Sequence, residues 1–361
     1  MKHWKETGEI LGRVIELAAL DRRASLATVV RILGSAYRRP GAKFLVEDDG
    51  RTTGGVSGGC LEADVREVAL EVTRTFEPRL LHYDTGSDDR TVWGLGLGCN
   101  GSVDVFVQPA TTPAARRVFS ALRASLEGDA PLASSTVISG PAAGRSVLVG
   151  PGGTLASSAD DGGQGAVLAR LADDCLTSER SCVRRLGAAE VFTEALTPPP
   201  HLVVCGAGDD ARPLVACAAD AGFRVTIVDH RPAYLSAERF PAATARLALR
   251  ADDEVAATLP AGPRTCAVVM THSLGKDREW LRRFLAADPI YVGLLGPRER
   301  CARLLDEVGA PEHAPVFGPV GLDIGAEGPE QIAISVVAEL LGVLSRREPS
   351  HLRGKERAIH A

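Results

Sequence analysis

The residue whose type and setting first suggest chemistry is Cys60, which closes Ser57-Gly58-Gly59-Cys60 and directly precedes Leu61-Glu62. Apolar side chains at Leu61, Val65, Val68, Ala69 and Val72, with charged ones between, predict an amphipathic helix over 61–74. Ser57 is then the expected N-cap, with Gly58, Gly59 and Cys60 forming the first helical turn. Unpaired amides and the positive end of the helix dipole meet at such a place, which suits an anion and favours a thiolate. A thiolate attacks electrophiles or binds a soft metal. The paired glycines leave no Cβ between a flat ligand and the backbone. The competing reading is a small buried hydrophobe behind a tight turn, because free cysteine is among the most often buried residue types.

A second glycine-rich turn, Trp93 to Gly101, carries Gly98-Cys99 and echoes the first. If the two turns lie side by side, Cys60 and Cys99 form a two-thiol site. Taken alone, Cys99 reads equally as a turn cysteine packed beneath a loop.

Several elements must position these turns. A helix is predicted over 7–22 and a strand over 25–33, ending in a turn-forming stretch, Gly34 to Gly41, that holds Arg38 and Arg39. Residues 43–46 and 51–53 read as a hairpin around Glu47-Asp48-Asp49-Gly50. Strands follow at 80–84 and 103–107, a helix at 113–126, and strands at 134–138, 146–149, 181–185 and 190–195. Residues 151–165, rich in Gly, Ser and Asp, read as a mobile loop.

After Thr197-Pro198-Pro199-Pro200 the pattern changes. The apolar run His201 to Cys205 is a buried strand, and Gly206-Ala207-Gly208-Asp209-Asp210-Ala211 opens a helix reaching about Ala221. A further strand, 224–228, ends at Asp229. A G-x-G-x-x-A turn between strand and helix, with an acid closing the next strand, is the dinucleotide-binding fingerprint in its structural context. Gly206 and Gly208 would face the phosphates, Asp229 a ribose hydroxyl, and Arg231 a 2′-phosphate. Asp209 would repel an anion unless it points away, and the fold also serves packing or other ligands. His272 follows the strand 267–270 and is the candidate acid or base if the chain is an NAD(P)-dependent oxidoreductase. A strand at 290–294 leads into a possible phosphate-facing turn, Gly293 to Arg298, and 331–344 is a closing helix.

The fold class is therefore α/β, with a mixed α/β N-terminal domain and a C-terminal Rossmann-like, doubly wound parallel sheet. The expected boundaries are 1–196, a Pro-rich linker at 197–200, 201–345, and a charged tail at 346–361. The net charge of −5 and the lack of a basic stripe argue against nucleic acid. Lacking an apolar run of roughly 18 residues and a signal-peptide core, the chain is expected to have no membrane span and to reside in the cytoplasm. Its eight cysteines show no CxxC spacing and read as free thiols rather than a disulfide or zinc framework.

These motifs together resemble one family. Gly34-Ser35 with Arg38, Pro40 and Gly41, Ser57 to Glu62, and Gly96 to Cys99 are similar to the N-terminal domain of the XdhC/CoxI family. His201 to Pro232, Met270-Thr271-His272, Tyr291 to Gly296 and Gly321 to Glu327 are similar to its C-terminal Rossmann domain. The resemblance implies a maturation factor that binds molybdenum cofactor and holds it while a cysteine desulfurase replaces an oxo ligand with sulfur. Delivery to the large subunit of a molybdenum hydroxylase, such as xanthine dehydrogenase or carbon monoxide dehydrogenase, would follow. Cys60, and secondarily Cys99, would then contact molybdenum, and a homodimer is compatible with the pattern. Three positions depart from the family's usual sequence: Tyr37 in place of proline, Asn100 where glycine is common, and Asp209 in place of the histidine of its Gly-x-Gly-His turn.

Overall fold

The computed structural model describes residues 2–34, 37–84, 101–159, 163–262 and 264–354. They form two compact units, Lys2–Pro198 and Pro199–Gly354.

In the first unit α1 (Lys2–Ala19) precedes β1 (Ala24–Gly34), β2 (Lys43–Glu47), β3 (Thr52–Gly54), α2 (Glu62–Thr75), β4 (Arg79–Asp84) and β5 (Gly101–Pro109). Next come α3 (Pro113–Ser125), β6 (Leu132–Val137), β7 (Ser146–Gly150), β8 (Gly153–Ser157), α4 (Gln164–Ser178), β9 (Cys182–Leu186) and β10 (Ala189–Leu196). The strands make two antiparallel sheets, β3-β2-β1-β5-β4 and β8-β7-β6-β10-β9. The two orders are one topology used twice: a helix, three meandering strands, a helix, two strands. The buried stripes Val65, Ala69, Val72 of α2 and Leu168, Ala172, Cys175 of α4 correspond, each packed on its own sheet.

Sequence patterning hid part of the second copy. The stretch 151–165, read as a mobile loop, contains β8 and the start of α4, and α4 itself went unpredicted. β8 is a half-exposed edge strand written in Gly, Thr, Ala and Ser, so it lacks the apolar alternation that marks a strand. α1 begins earlier than periodicity suggested, because Trp4 is a core residue whose indole N–H donates to the Leu126 carbonyl at 2.9 Å. The core between α1 and α3 joins Ile10, Leu11, Val14 and Leu17 to Val118, Phe119 and Leu122. Between the two sheets Val30, Phe106, Ile138 and Phe192 pack together. Beside them the buried Lys43 ammonium of β2 meets Glu194 of β10 at 2.5 Å.

The second unit contains β11 (His201–Cys205), α5 (Ala211–Ala221), β12 (Arg224–Asp229), β13 (Ala245–Ala248), β14 (Thr265–Val269), α6 (Leu274–Leu285), β15 (Tyr291–Leu294), α7 (Arg298–Val308), β16 (Val316–Phe317) and α8 (Gly328–Ser345). Its sheet, β13-β12-β11-β14-β15-β16, is parallel throughout. Both faces are covered, which is why β11 reads as a continuous apolar run. Leu202 and Val204 join the layer of α5 and α8, while Val203 and Cys205 join that of α6 and α7. The order reverses between β11 and β14, the switch point where ligands of such sheets collect.

α8 departs from one sequence expectation, since by length and composition it is long and apolar enough to cross a membrane. In this structure Ala333, Val336, Val337 and Leu340 are buried in the layer shared with α5.

Candidate functional site

Strand direction places the loops that matter at one end of the first sheet. β1 ends there at Gly34, β3 at Gly54 and β4 at Asp84, while β5 begins there at Gly101, which pairs with Gly34. Tyr37 and Arg38, the Gly54 to Glu62 turn, and both flanks of the second glycine-rich segment therefore share an edge. Gly98, Cys99 and Asn100 themselves lie outside the described residues.

The first turn differs from its expected form. α2 starts at Glu62, its N-cap is Leu61, and no side chain caps it, so Cys60 precedes the helix instead of occupying its first turn. The reason is that Ser57 is already engaged. Its Oγ accepts the amides of Gly59 and Leu61, each at 3.1 Å, and donates to Glu62. Glu62 reaches back to accept the amides of Val56 at 3.1 Å and Ser57 at 2.8 Å. Serine and glutamate thus clasp the turn reciprocally, in the manner of a capping box moved ahead of the helix. Burial pushes the Glu62 carboxyl up, but the Ser57 hydroxyl and the donated amides outweigh it and hold the group below its ordinary value.

What the clasp leaves over defines the opening. Among the described residues the amides of Gly58 and Cys60 have no hydrogen-bond partner. Gly59 has φ +113°, and a Cβ there would meet none of the described residues within 4 Å. Cys60 is half-buried and packs against the apolar cluster that α2 forms with the first sheet. Arg38 is held by a two-pronged pair to Glu6, both contacts at 2.9 Å. One turn into α2, Asp64 accepts from the Tyr83 hydroxyl, and burial with that carboxylate pushes the phenol up.

Among the described residues Cys175, Cys205, Cys266 and Cys301 are buried, and Cys182 and Cys217 are half-buried. Burial pushes Cys175 up to about 11 and Cys266 up to about 12, and raises Cys205, Cys217 and Cys301. Aligning the buried stripes of α2 and α4 puts Gly163 in the second copy where Cys60 stands in the first. Likewise the segment 85–100 corresponds to a two-residue turn, 187–188, in the second copy. The thiol and the longer segment between the last two strands therefore belong to one copy alone.

In the second unit, Gly206 is a packing glycine: φ is +117°, and a Cβ would fall 2.4 Å from the Met270 carbonyl oxygen. A Cβ on Gly208 would fall 2.5 Å from the end of the Asp210 carboxylate and 3.9 Å from His272 Nε2. Asp229 is buried, and its oxygens are taken by the chain itself. They accept from the Ala207 amide at 2.8 Å and from the Arg231 amide, Nε and terminal nitrogen, each at 2.9 Å. Burial raises the Asp229 carboxyl, but Arg231 and the amides prevail and hold it well below the usual range. Arg231 also stacks 3.9 Å from the centre of the Tyr234 ring. Asp209 is exposed and drawn to Arg239 at 3.0 Å. His272, at φ 59°, reaches Asp210 across the switch point at 2.8 Å.

Sequence reasoning passed over His230 and Lys276. His230 Nδ1 lies 3.0 Å from Asp229, and its Nε2 lies 2.8 Å from the Lys276 ammonium on α6. The position of His230 directly after the strand-closing acid was the available signal. No group of three or more His, Cys, Asp or Glu able to hold a metal occurs among the described residues.

Comparison with known proteins decides the family. Residues 17–84 match the XdhC and CoxI family, and residues 202–340 match the XdhC Rossmann domain. A probable xanthine dehydrogenase subunit of Bacillus subtilis is 34% identical over 327 residues, covering 90% of this chain and 94% of that protein. The chain belongs to the XdhC/CoxI family. The molybdenum cofactor insertion chaperone PaoD of Escherichia coli is 26% identical over 345 residues, covering 94% of this chain and 89% of PaoD. A crystal structure described as a xanthine dehydrogenase from Bacillus halodurans superposes with TM-score 0.76 at 29% identity, over 96% of this chain and 98% of that one. The XdhC/CoxI match in the first unit spans 17–84, which contains Tyr37, Arg38 and the whole Ser57–Glu62 clasp.

Proposed function

We propose that this chain takes molybdenum cofactor as cargo at the loop end of the first sheet, with Cys60 facing the metal. It would hold the cargo while a cysteine desulfurase exchanges an oxo ligand for sulfur, then deliver it to the large subunit of a molybdenum hydroxylase. The named relatives, a cofactor insertion chaperone and a probable xanthine dehydrogenase subunit, support the maturation role. One observation carries the choice of site: a half-buried thiol on an open glycine turn, flanked by the Gly58 and Cys60 amides, which are unpaired among the described residues.

The residues present suit that cargo. Bound here, the cofactor would offer a soft metal to the thiol, a flat ring to a backbone without Cβ atoms, and an anionic arm to unpaired amides. Glu62 spends its charge inward on Val56 and Ser57, so its carboxylate is tied up in the clasp. The alternative, an NAD(P)-dependent oxidoreductase, needs Asp229 for a ribose, and Arg231 occupies that carboxylate.

Molybdenum content and released pterin fluorescence, measured after co-expression with the cofactor pathway, test the reading. Near-stoichiometric cofactor on the wild type and its loss in Cys60→Ala, with thermal unfolding unchanged, is the expected result. Equal retention by both proteins would remove Cys60 from the site.

A further inference from the structure

We propose that Tyr37 is an aromatic platform on which the planar ring of the cargo stacks, so that this end of the first sheet selects a flat heteroaromatic ring system. The inference rests on the reading above and names the residue that would hold the ring.

Tyr37 is 83% exposed, and its root lies beside the thiol turn. A Cβ built on Gly58 would lie 3.7 Å from the Tyr37 Cγ, 3.8 Å from Cδ1 and 4.0 Å from Cβ, so the ring root lies beside Gly58, at the distance a side chain there would touch. The next residue, Arg38, is anchored by its two-pronged pair to Glu6. A tyrosine orders few torsions on binding and offers a large π-face. Solitary exposed aromatics are common on protein surfaces and by themselves signify nothing. This one stands beside Gly58, in the turn whose next residue, Gly59, would bring a Cβ within 4 Å of none of the described residues and whose Gly58 and Cys60 amides are unpaired among them. A ring lying on Tyr37 would therefore have hydrogen-bond donors and the thiol within one turn of chain. Stacking recognises a π-face independently of its edge groups, whereas the amides address acceptors and charge.

The full-length protein, freed of cofactor, is titrated with pterin-6-carboxylate by fluorescence anisotropy, and cofactor retention after co-expression is measured in parallel. Tyr37→Ala should weaken pterin binding about tenfold, and Tyr37→Phe should stay within about twofold of wild type. All three proteins should melt alike, since the ring is outside the core. If Tyr37→Ala binds the pterin as wild type does, while Cys60→Ala loses cofactor, the platform is wrong and the site stands. If Tyr37→Phe is as weak as Tyr37→Ala, the hydroxyl rather than the ring is used, and stacking is overturned. A wild type that neither retains cofactor nor binds the pterin overturns the platform together with the reading beneath it.

Discussion

Ser57 and Glu62 act on Cys60 indirectly, by fixing the turn that presents it. Removing the Ser57 hydroxyl strands the amides of Gly59 and Leu61 and takes a donor from Glu62. Ser57→Ala should therefore cost about 1 kcal/mol, the usual scale for losing a cap, and lower cofactor retention with it. Glu62→Gln keeps the shape and loses the charge. Because the folded carboxyl titrates below its unfolded value, its stabilisation is present above an unfolded pKa of about 4.3 and is lost as pH falls through the lower folded value. Urea midpoints of wild type and Glu62→Gln should thus differ most near pH 7 and converge near pH 3; a gap of constant size would show that charge is not what holds the turn. The thiol turn was legible in the sequence because glycines and a helix stripe announce it. The clasp was not, since a serine that caps its own turn looks in sequence like one that caps the helix.

At the scale of elements, the twofold use of one topology explains why polar residues lie between two sheets. Lys43 on β2 belongs to the first copy and Glu194 on β10 to the second, and their pairing is buried. Gly41 reinforces it, for its carbonyl accepts from the Lys43 ammonium at 3.0 Å. Breaking a buried pair from one side leaves an uncompensated charge, so Lys43→Met and Glu194→Leu should each destabilise by about 3–5 kcal/mol. The double variant should recover much of that loss, as neither charge is then stranded. Denaturant unfolding of the four proteins in a double-mutant cycle measures the coupling, and simple additivity would mean the pair holds nothing together. Strands such as β1 and β11, with long apolar runs, were readable from sequence. The duplication was not: the copies share buried positions in α2 and α4 but little chemistry, and β8 shows no alternation.

At the scale of the whole molecule, each unit has cores of its own. The clusters of the second unit draw only on residues 202–344, and those of the first on residues 4–196. The change of pattern at Thr197-Pro198-Pro199-Pro200 reads in the sequence as a stiff segment between a mixed α/β pattern and a parallel, Rossmann-like one. Units with complete cores are expected to fold separately. Fragments 2–198 and 199–354 should each show a cooperative thermal transition by circular dichroism. The functional reading makes the fragments unequal in a definite direction. Cys60, Tyr37 and the unpaired amides of Gly58 and Cys60 all lie in 2–198, so that fragment should carry the pterin after co-expression and 199–354 should carry none. Folded fragments with pterin on 199–354 alone would move the cargo from the thiol turn to the switch point beside His272 and Lys276. Retention by 2–198, lost again in its Cys60→Ala variant, would leave the parallel sheet free for a separate role in meeting the enzyme that receives the cofactor.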